Sequence, residues 1–231
     1  MKGLIVSPHL DDAALSCAAR IESRQVEAVT TIFAGLPSEL EHLSDWDILT
    51  RANSARTRVA ERRAEDAAAW NSLGINYSHR DNLEARGDRI DPTQLKREIE
   101  QVSAGFARVF IPAGIGRHPQ HVLVRDAALL AIAPGTQVVL YGELPYAAYY
   151  GWPEVDKHLD VEAHWRAEMK DISRGIVGPP NLVALNEAQR AFKRKLLANY
   201  TSQISAISGG SFKLFDTTTM LDFELEFNLV I

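Results

Sequence analysis

Residues 4–19 read LIVSPHLDDAALSCAA. An apolar run stops at Pro8, a histidine and two adjacent aspartates follow, and an alanine-rich segment takes over. Unbroken hydrophobicity over Gly3–Val6 predicts a strand covered on both faces. Leu15, Ala18, Ala19 and Glu22, at helical spacing, predict a helix over Asp12–Ser23. His9, Asp11 and Asp12 therefore stand where the first buried strand meets the first helix.

Working outward, the chain keeps alternating. Val26–Phe33 is β-branched and reads as a second strand, and Pro37–Trp46 as a polar loop or short helix. Arg51–Leu73 is a long helical stretch closed by Gly74, a natural C-cap. Ile75–Ser78 is a short strand, followed by a polar loop through Asp91. Pro92 suits the first turn of a helix running to about Ser103. Arg108–Pro112 is a strand, Gly114–His121 a loop, Val122–Ile132 a helix and Gln137–Tyr141 a strand. This alternation predicts an α/β, Rossmann-like three-layer sandwich with a mostly parallel sheet. In such a sheet ligands bind beyond the carboxyl ends of the strands. The loops Ser7–Asp12 and Gly114–His121 both follow strands, so both should open on that edge.

After Tyr141 the pattern weakens into a helical and β-strand elaboration, with Val161–Arg174 and Asn186–Ser205 helical. The tail LDFELEFNLVI sets Leu221, Phe223, Leu225, Phe227 and Leu229 on one face, with the charges and Asn228 on the other. That alternation predicts a half-exposed strand at a sheet edge or in an antiparallel pairing. The whole reads as one domain over residues 1–231, with a core of about 1–142 and an elaboration of about 143–231.

Composition narrows the function. Of 231 residues, 46% are hydrophobic and 24% charged, which is ordinary for a globular chain. A net charge of −5 argues against a nucleic-acid partner, which calls for a basic field. Cys17 is the one cysteine, so no intrachain disulfide can form and a reducing cytoplasm is the simplest home. No apolar run approaches the roughly 20 residues of a membrane span, and the apolar stretch at the N-terminus is too short for a signal peptide. The expectation is a cytoplasmic protein without a membrane span. Its oligomeric state is left open, and a homo-oligomer is compatible with the sequence.

The chemistry lies in two loops. His9 and Asp12 are spaced by three with Asp11 between them, and His118 and His121 are again spaced by three in RHPQH. A catalytic zinc takes three protein ligands and leaves a position for water. His9, Asp12 and one histidine of the second loop would fill that shell. The carboxylate and histidine left over are the base and the donor that metal-assisted hydrolysis needs. The plainer reading is that Asp11 or Asp12 caps the helix. A cap, however, needs one aspartate and no distant pair of histidines. A nucleotide-binding reading lacks a G-x-G-x-x-G after the first strand, and two carboxylates there would repel a pyrophosphate.

SPHLDDAALS resembles the PHPDDE signature of the LmbE/PIG-L family of zinc-dependent de-N-acetylases, and HPQH resembles that family's HPDH element. Between them, ERRAEDAAAWNSLG (Glu61–Gly74) resembles the family's R-x-x-E…LG helix, with Arg62 and Glu65 at matching places. Lys195–Gln203, KLLANYTSQ, adds a faint echo. The resemblance implies His9, Asp12 and His121 as zinc ligands, Asp11 as general base and His118 as the residue that stabilises the oxyanion. It also implies Arg62 and Asp81 as substrate-binding residues. The implied activity is removal of an N-acetyl group from an N-acetylglucosamine-type sugar or glycoside by metal-activated water. The His₂Asp set also suits Fe²⁺ or Co²⁺. Two rivals stay open: an amidase for another N-acyl small molecule, and a weakened relative that binds sugar or metal without turnover. Leu10, Ala13 and Gln120 depart from the motifs. If the motif aspartate holds His118 protonated, the neutral Gln120 should lower the pKa of His118.

Overall fold

Leu4, Ile5 and Val6, together with Val109, Phe110, Ile111, Val138 and Leu140, have almost no exposed surface. Such strands must be covered on both faces, and the computed structural model shows how. It describes residues 3–84, 90–149, 160–172, 174–209 and 217–231. In chain order the elements are β1 (Gly3–Ser7), α1 (Asp12–Ser16), α2 (Ala18–Glu22), β2 (Val26–Thr31), α3 (Asp45–Leu49), α4 (Ala55–Leu73) and β3 (Asn76–His79). There follow α5 (Pro92–Ser103), β4 (Arg108–Pro112), α6 (Pro119–Ala131), β5 (Gln137–Gly142), α7 (Tyr146–Tyr149) and α8 (Val161–Glu168). The last are β6 (Ile176–Ala184), α9 (Glu187–Leu197), α10 (Thr201–Gly209), α11 (Thr217–Asp222) and β7 (Phe223–Val230).

The sheet runs β3-β2-β1-β4-β5-β7-β6. The first five strands pair in parallel, and β7 lies antiparallel between β5 and β6. The fold is thus the α/β sandwich with a mostly parallel sheet that the alternation implied. Its strand order reverses between β1 and β4, which opens a crevice at their carboxyl ends. The two histidine-bearing segments follow β1 and β4, so both meet at that crevice.

Local chemistry sets the element boundaries. Ser54 caps α4 reciprocally with Thr57, which starts the helix at Ala55 rather than Arg51. Gly74 closes it with φ +64°, a left-handed conformation that a side chain would strain. His118 is the N-cap of α6 and Pro119 its first residue, so HPQH straddles a loop and a helix instead of lying in a loop. No described helix is long and apolar enough to cross a membrane.

Two further expectations are corrected by long-range contacts. The helix over Asp12–Ser23 is in fact two, broken at Cys17 with φ −129° and ψ 19°. The cause is tertiary: the amides of Ala18 and Ala19 donate to Glu224 of β7 at 2.8 and 3.1 Å. The tail forms an antiparallel strand as expected, but it is not the edge. β6, which the sequence reading did not find, occupies the edge instead, and Glu224 and Glu226 are buried.

Glu224 also accepts from Lys193 Nζ at 3.0 Å, where the lysine is wholly buried. Glu226 accepts from Arg20 Nε and Nη2. Removing one member of a buried pair leaves an uncompensated charge. Lys193→Met should therefore lower the unfolding free energy by about 3 kcal/mol in urea titration. The pairing with Glu224→Gln should return part of that loss. A Lys193→Met loss within about 0.5 kcal/mol, the range of an ordinary surface change, would show that the pair does not hold the tail.

Candidate functional site

The turn after β1 is built from its own side chains. Ser7 Oγ donates to His9 O at 2.8 Å, and the Ala13 amide donates to Ser7 Oγ at 3.2 Å. The His9 amide donates to Asp12 Oδ2 at 2.9 Å. These bonds bring the His9 ring over the first turn of α1, where Asp12 already stands. His121 arrives from the first turn of α6 and is fully buried.

Three atoms then face one another. Asp12 Oδ2 lies 3.2 Å from His9 Nδ1 and 3.3 Å from His121 Nε2. The two ring nitrogens are 3.1 Å apart. Ligand atoms about 2.0–2.1 Å from one tetrahedral ion stand roughly 3.3–3.4 Å apart. Two nitrogens and one carboxylate oxygen at that spacing fit a zinc-like divalent ion. His118 joins His9 and His121 in a looser group, with ligand atoms within 4.8 Å of one another. The Asp12 triangle is tighter and better matched to one ion, so His118 is left to face the cavity.

Asp11 occupies the N-cap position of α1, yet its side chain makes no capping hydrogen bond. The cap reading therefore does not account for it. Its carboxyl lies 4.0 Å from Arg62 Nη2. Burial pushes it up to about 6; Arg62 pulls the other way, while neighbouring Asp12 adds to the rise. Asp12 is held well below the usual carboxylate range, because His121 and His9 outweigh its burial. In His121, burial disfavours the charge, but Asp12 and Glu143 overcome it and raise the pKa to about 10. Burial, His9 and His121 together push His118 down to about 4. Its Nδ1 has no hydrogen-bond partner among the described residues.

Around these groups lies a cavity of about 150 Å³, lined among others by His9, Asp11, Asp12, Arg62, His118 and Tyr146. A second cavity of about 360 Å³ shares Glu84 and His118 with it. Arg62 could have paired with Glu65 or Asp66 on its own helix, but both are engaged elsewhere. Glu65 accepts from Thr201 and Ser202 at the start of α10, and Asp66 contacts His79 and Tyr200, each at 2.8 Å. Arg62 instead donates to Glu84 Oε2 at 2.7 Å. Asp81 is not in the cavity wall; its carboxylate points to solvent, 3.5 Å from Arg63 Nη1.

Three contributors escaped the sequence reading or were misread by it. Glu84 lies three residues past the aspartate that the motif suggested, in a loop without periodicity. Glu143 follows β5 and is fully buried. It accepts from the amides of Gly114 and Ile115 at 2.7 and 3.2 Å and lies 3.2 Å from His121 Nδ1. Gly114 makes this approach possible with φ +79°, and a Cβ there would stand 2.9 Å from Arg125 Nη1. Gln120 was expected to act on His118. Its amide instead reaches His9 and the Glu84 carbonyl, so His118 is lowered by burial and its fellow histidines. After β5, Tyr146 lines the cavity and Tyr149 is exposed.

A family model described as PIG-L, GlcNAc-PI de-N-acetylase, matches residues 4–132. The 2'-N-acetylparomamine deacetylase of Streptomyces fradiae is 30% identical over 176 residues, covering 68% of this chain and 61% of that protein. The chain thus spans under two thirds of that relative's length. Among solved structures, a triple mutant of a deacetylase in the teicoplanin biosynthetic pathway gives a TM-score of 0.77 at 25% identity, over 100% of this chain and 98% of that one. The A40926 pseudoaglycone deacetylase gives a TM-score of 0.76 at 27% identity, over 99% and 97%.

Proposed function

The chain belongs to the PIG-L family of de-N-acetylases, and from that premise we propose that it hydrolyses the N-acetyl group of an N-acetylated amino sugar or glycoside. The observation that carries the reading is the triangle of His9 Nδ1, Asp12 Oδ2 and His121 Nε2, with edges of 3.1–3.3 Å. These three residues would hold a divalent metal, and we take it to be zinc. Such an ion acts as a Lewis acid on a carbonyl and lowers the pKa of water from 15.7 to about 7.

The chain's own groups supply the rest. Asp11, beside the triangle and free of capping duty, takes a proton from the attacking water. A bond forms between the water oxygen and the acetyl carbon. The carbon–nitrogen bond breaks, the proton passes to the departing nitrogen, and acetate and a free amine result. Arg62, between Asp11 and Glu84, keeps the base oriented. His118, its Nδ1 without a partner, is placed to hydrogen-bond the carbonyl oxygen or the departing amine.

A cavity of about 150 Å³ takes an acetamide but not a whole glycoside, whose remainder would extend toward the neighbouring cavity of about 360 Å³ that shares Glu84 and His118. The relatives are named as deacetylases of 2'-N-acetylparomamine and of the A40926 pseudoaglycone, molecules larger than an acetamide, which suits that arrangement. We place the reaction in the cytoplasm, where a single buried Cys17 would stay reduced.

Amine release from a panel of N-acetylated amino sugars and glycosides tests the proposal. Chelation should abolish release and added zinc restore it. Release from no panel member, by zinc-loaded protein that binds one of them tightly, would favour a binding protein. Asp11→Asn keeps the shape and removes the base, so turnover should fall about 10²–10⁴-fold at unchanged metal content. An Asp11→Asn protein with full activity would remove Asp11 from that role.

A further inference from the structure

Gln120 is a buried amide between the two histidines of RHPQH, and its two ends point in different directions. Its Nε2 donates to the backbone carbonyl of Glu84. A carbonyl oxygen can only accept, so this contact fixes which end of the amide is nitrogen. The other end, Oε1, then lies 2.6 Å from His9 Nε2. An amide oxygen can also only accept, so His9 Nε2 must carry a proton and donate it. In a neutral imidazole, that places the lone pair on Nδ1. Nδ1 is the atom 3.2 Å from Asp12 Oδ2 and 3.1 Å from His121 Nε2.

We propose that Gln120 is the positioning residue for the metal ligand His9: it fixes the ring orientation and the tautomer that turns an Nδ1 lone pair toward Asp12 and His121. The inference rests on the metal reading given above. Ligating histidines usually pass their other N–H to an oxygen that sets tautomer and angle. Here the two histidines have unlike partners. His121 Nδ1 faces the Glu143 carboxylate at 3.2 Å, whereas His9 is held by a neutral amide. The amide adds no charge to a volume already lined by the carboxylates of Asp11, Asp12 and Glu84. Its length also lets it bridge from α6 to the loop after β3, so the His9 contact comes with a fixed anchor.

The two ends of the amide can be separated by substitution. Gln120→Met fills the space without an acceptor, and Gln120→Glu keeps an acceptor for His9 while losing the donor to Glu84. Zinc affinity is measured by competition with a chromophoric chelator, and the His9 Nε2–H signal is followed by ¹⁵N NMR in the zinc-loaded protein. Gln120→Met should bind zinc about 10–100-fold more weakly and lose the slowly exchanging Nε2–H. Gln120→Glu should retain both. Equal loss in the two variants would show that Gln120 only anchors the loop and would overturn the proposal. So would wild-type affinity in Gln120→Met, or a proton found on His9 Nδ1. A wild-type protein that binds no zinc would instead overturn the metal reading, and this inference with it.

Discussion

The Asp12 carboxylate, buried between two imidazoles, is the contact on which the site depends. A buried carboxylate is costly unless every lone pair is answered. Asp12 is answered by the His9 amide and by His121 Nε2, with the His9 ring held alongside. That requirement ties residues more than a hundred positions apart to one point. It also explains the local geometry: the Ser7 hydroxyl shapes the turn, and Pro119 starts α6 early enough to bring His121 into its first turn. The reversal of strand order between β1 and β4 supplies the gap in which they meet.

The C-terminal segment secures this arrangement from two sides. Below, Glu224 of β7 takes the free amides at the start of α2 and the ammonium of Lys193. It therefore stabilises the break at Cys17 that ends α1 just past Asp12. Above, Tyr200, Thr201 and Ser202 dock on Asp66 and Glu65 of α4. The next residue, Gln203, accepts from Trp46 and lines the cavity. The faint KLLANYTSQ resemblance thus corresponds to a real structural task, the closing of the cavity roof by a helix start set on α4.

What the sequence discloses follows from the range of the forces involved. The parallel core was legible because β1, β4 and β5 are apolar through their centres, and the convergence of His9, Asp12 and His121 followed from strand ends sharing one edge. The break at Cys17 was not legible, because its cause lies some 200 positions away in Glu224. The same distance hides the burial of Glu224 and Glu226: alternating charges look solvated until Lys193 and Arg20 are seen beside them. β6 escaped because glycine and two prolines interrupt its pattern, which an edge strand tolerates. Glu84 and Glu143 belong to no periodic segment, and their roles come from where the loops place them.

The distribution of charge joins these points. Asp11, Asp12, Glu84 and Glu143 surround the histidines, and Arg62 is the guanidinium that directly answers two of them. The surrounding groups shift the titration of the site. Asp12 and Glu143 overcome burial to raise the pKa of His121 to about 10, and burial raises that of Asp11 to about 6. A ligand histidine must give up its proton before its nitrogen can bind an ion, so metal binding here would release protons. The carboxylates that favour a proton on His121 are the same ones that would favour a divalent cation, and one arrangement serves both. An amide rather than a fifth carboxylate beside His9 fits this balance, since the volume already carries more negative charge than Arg62 alone can answer.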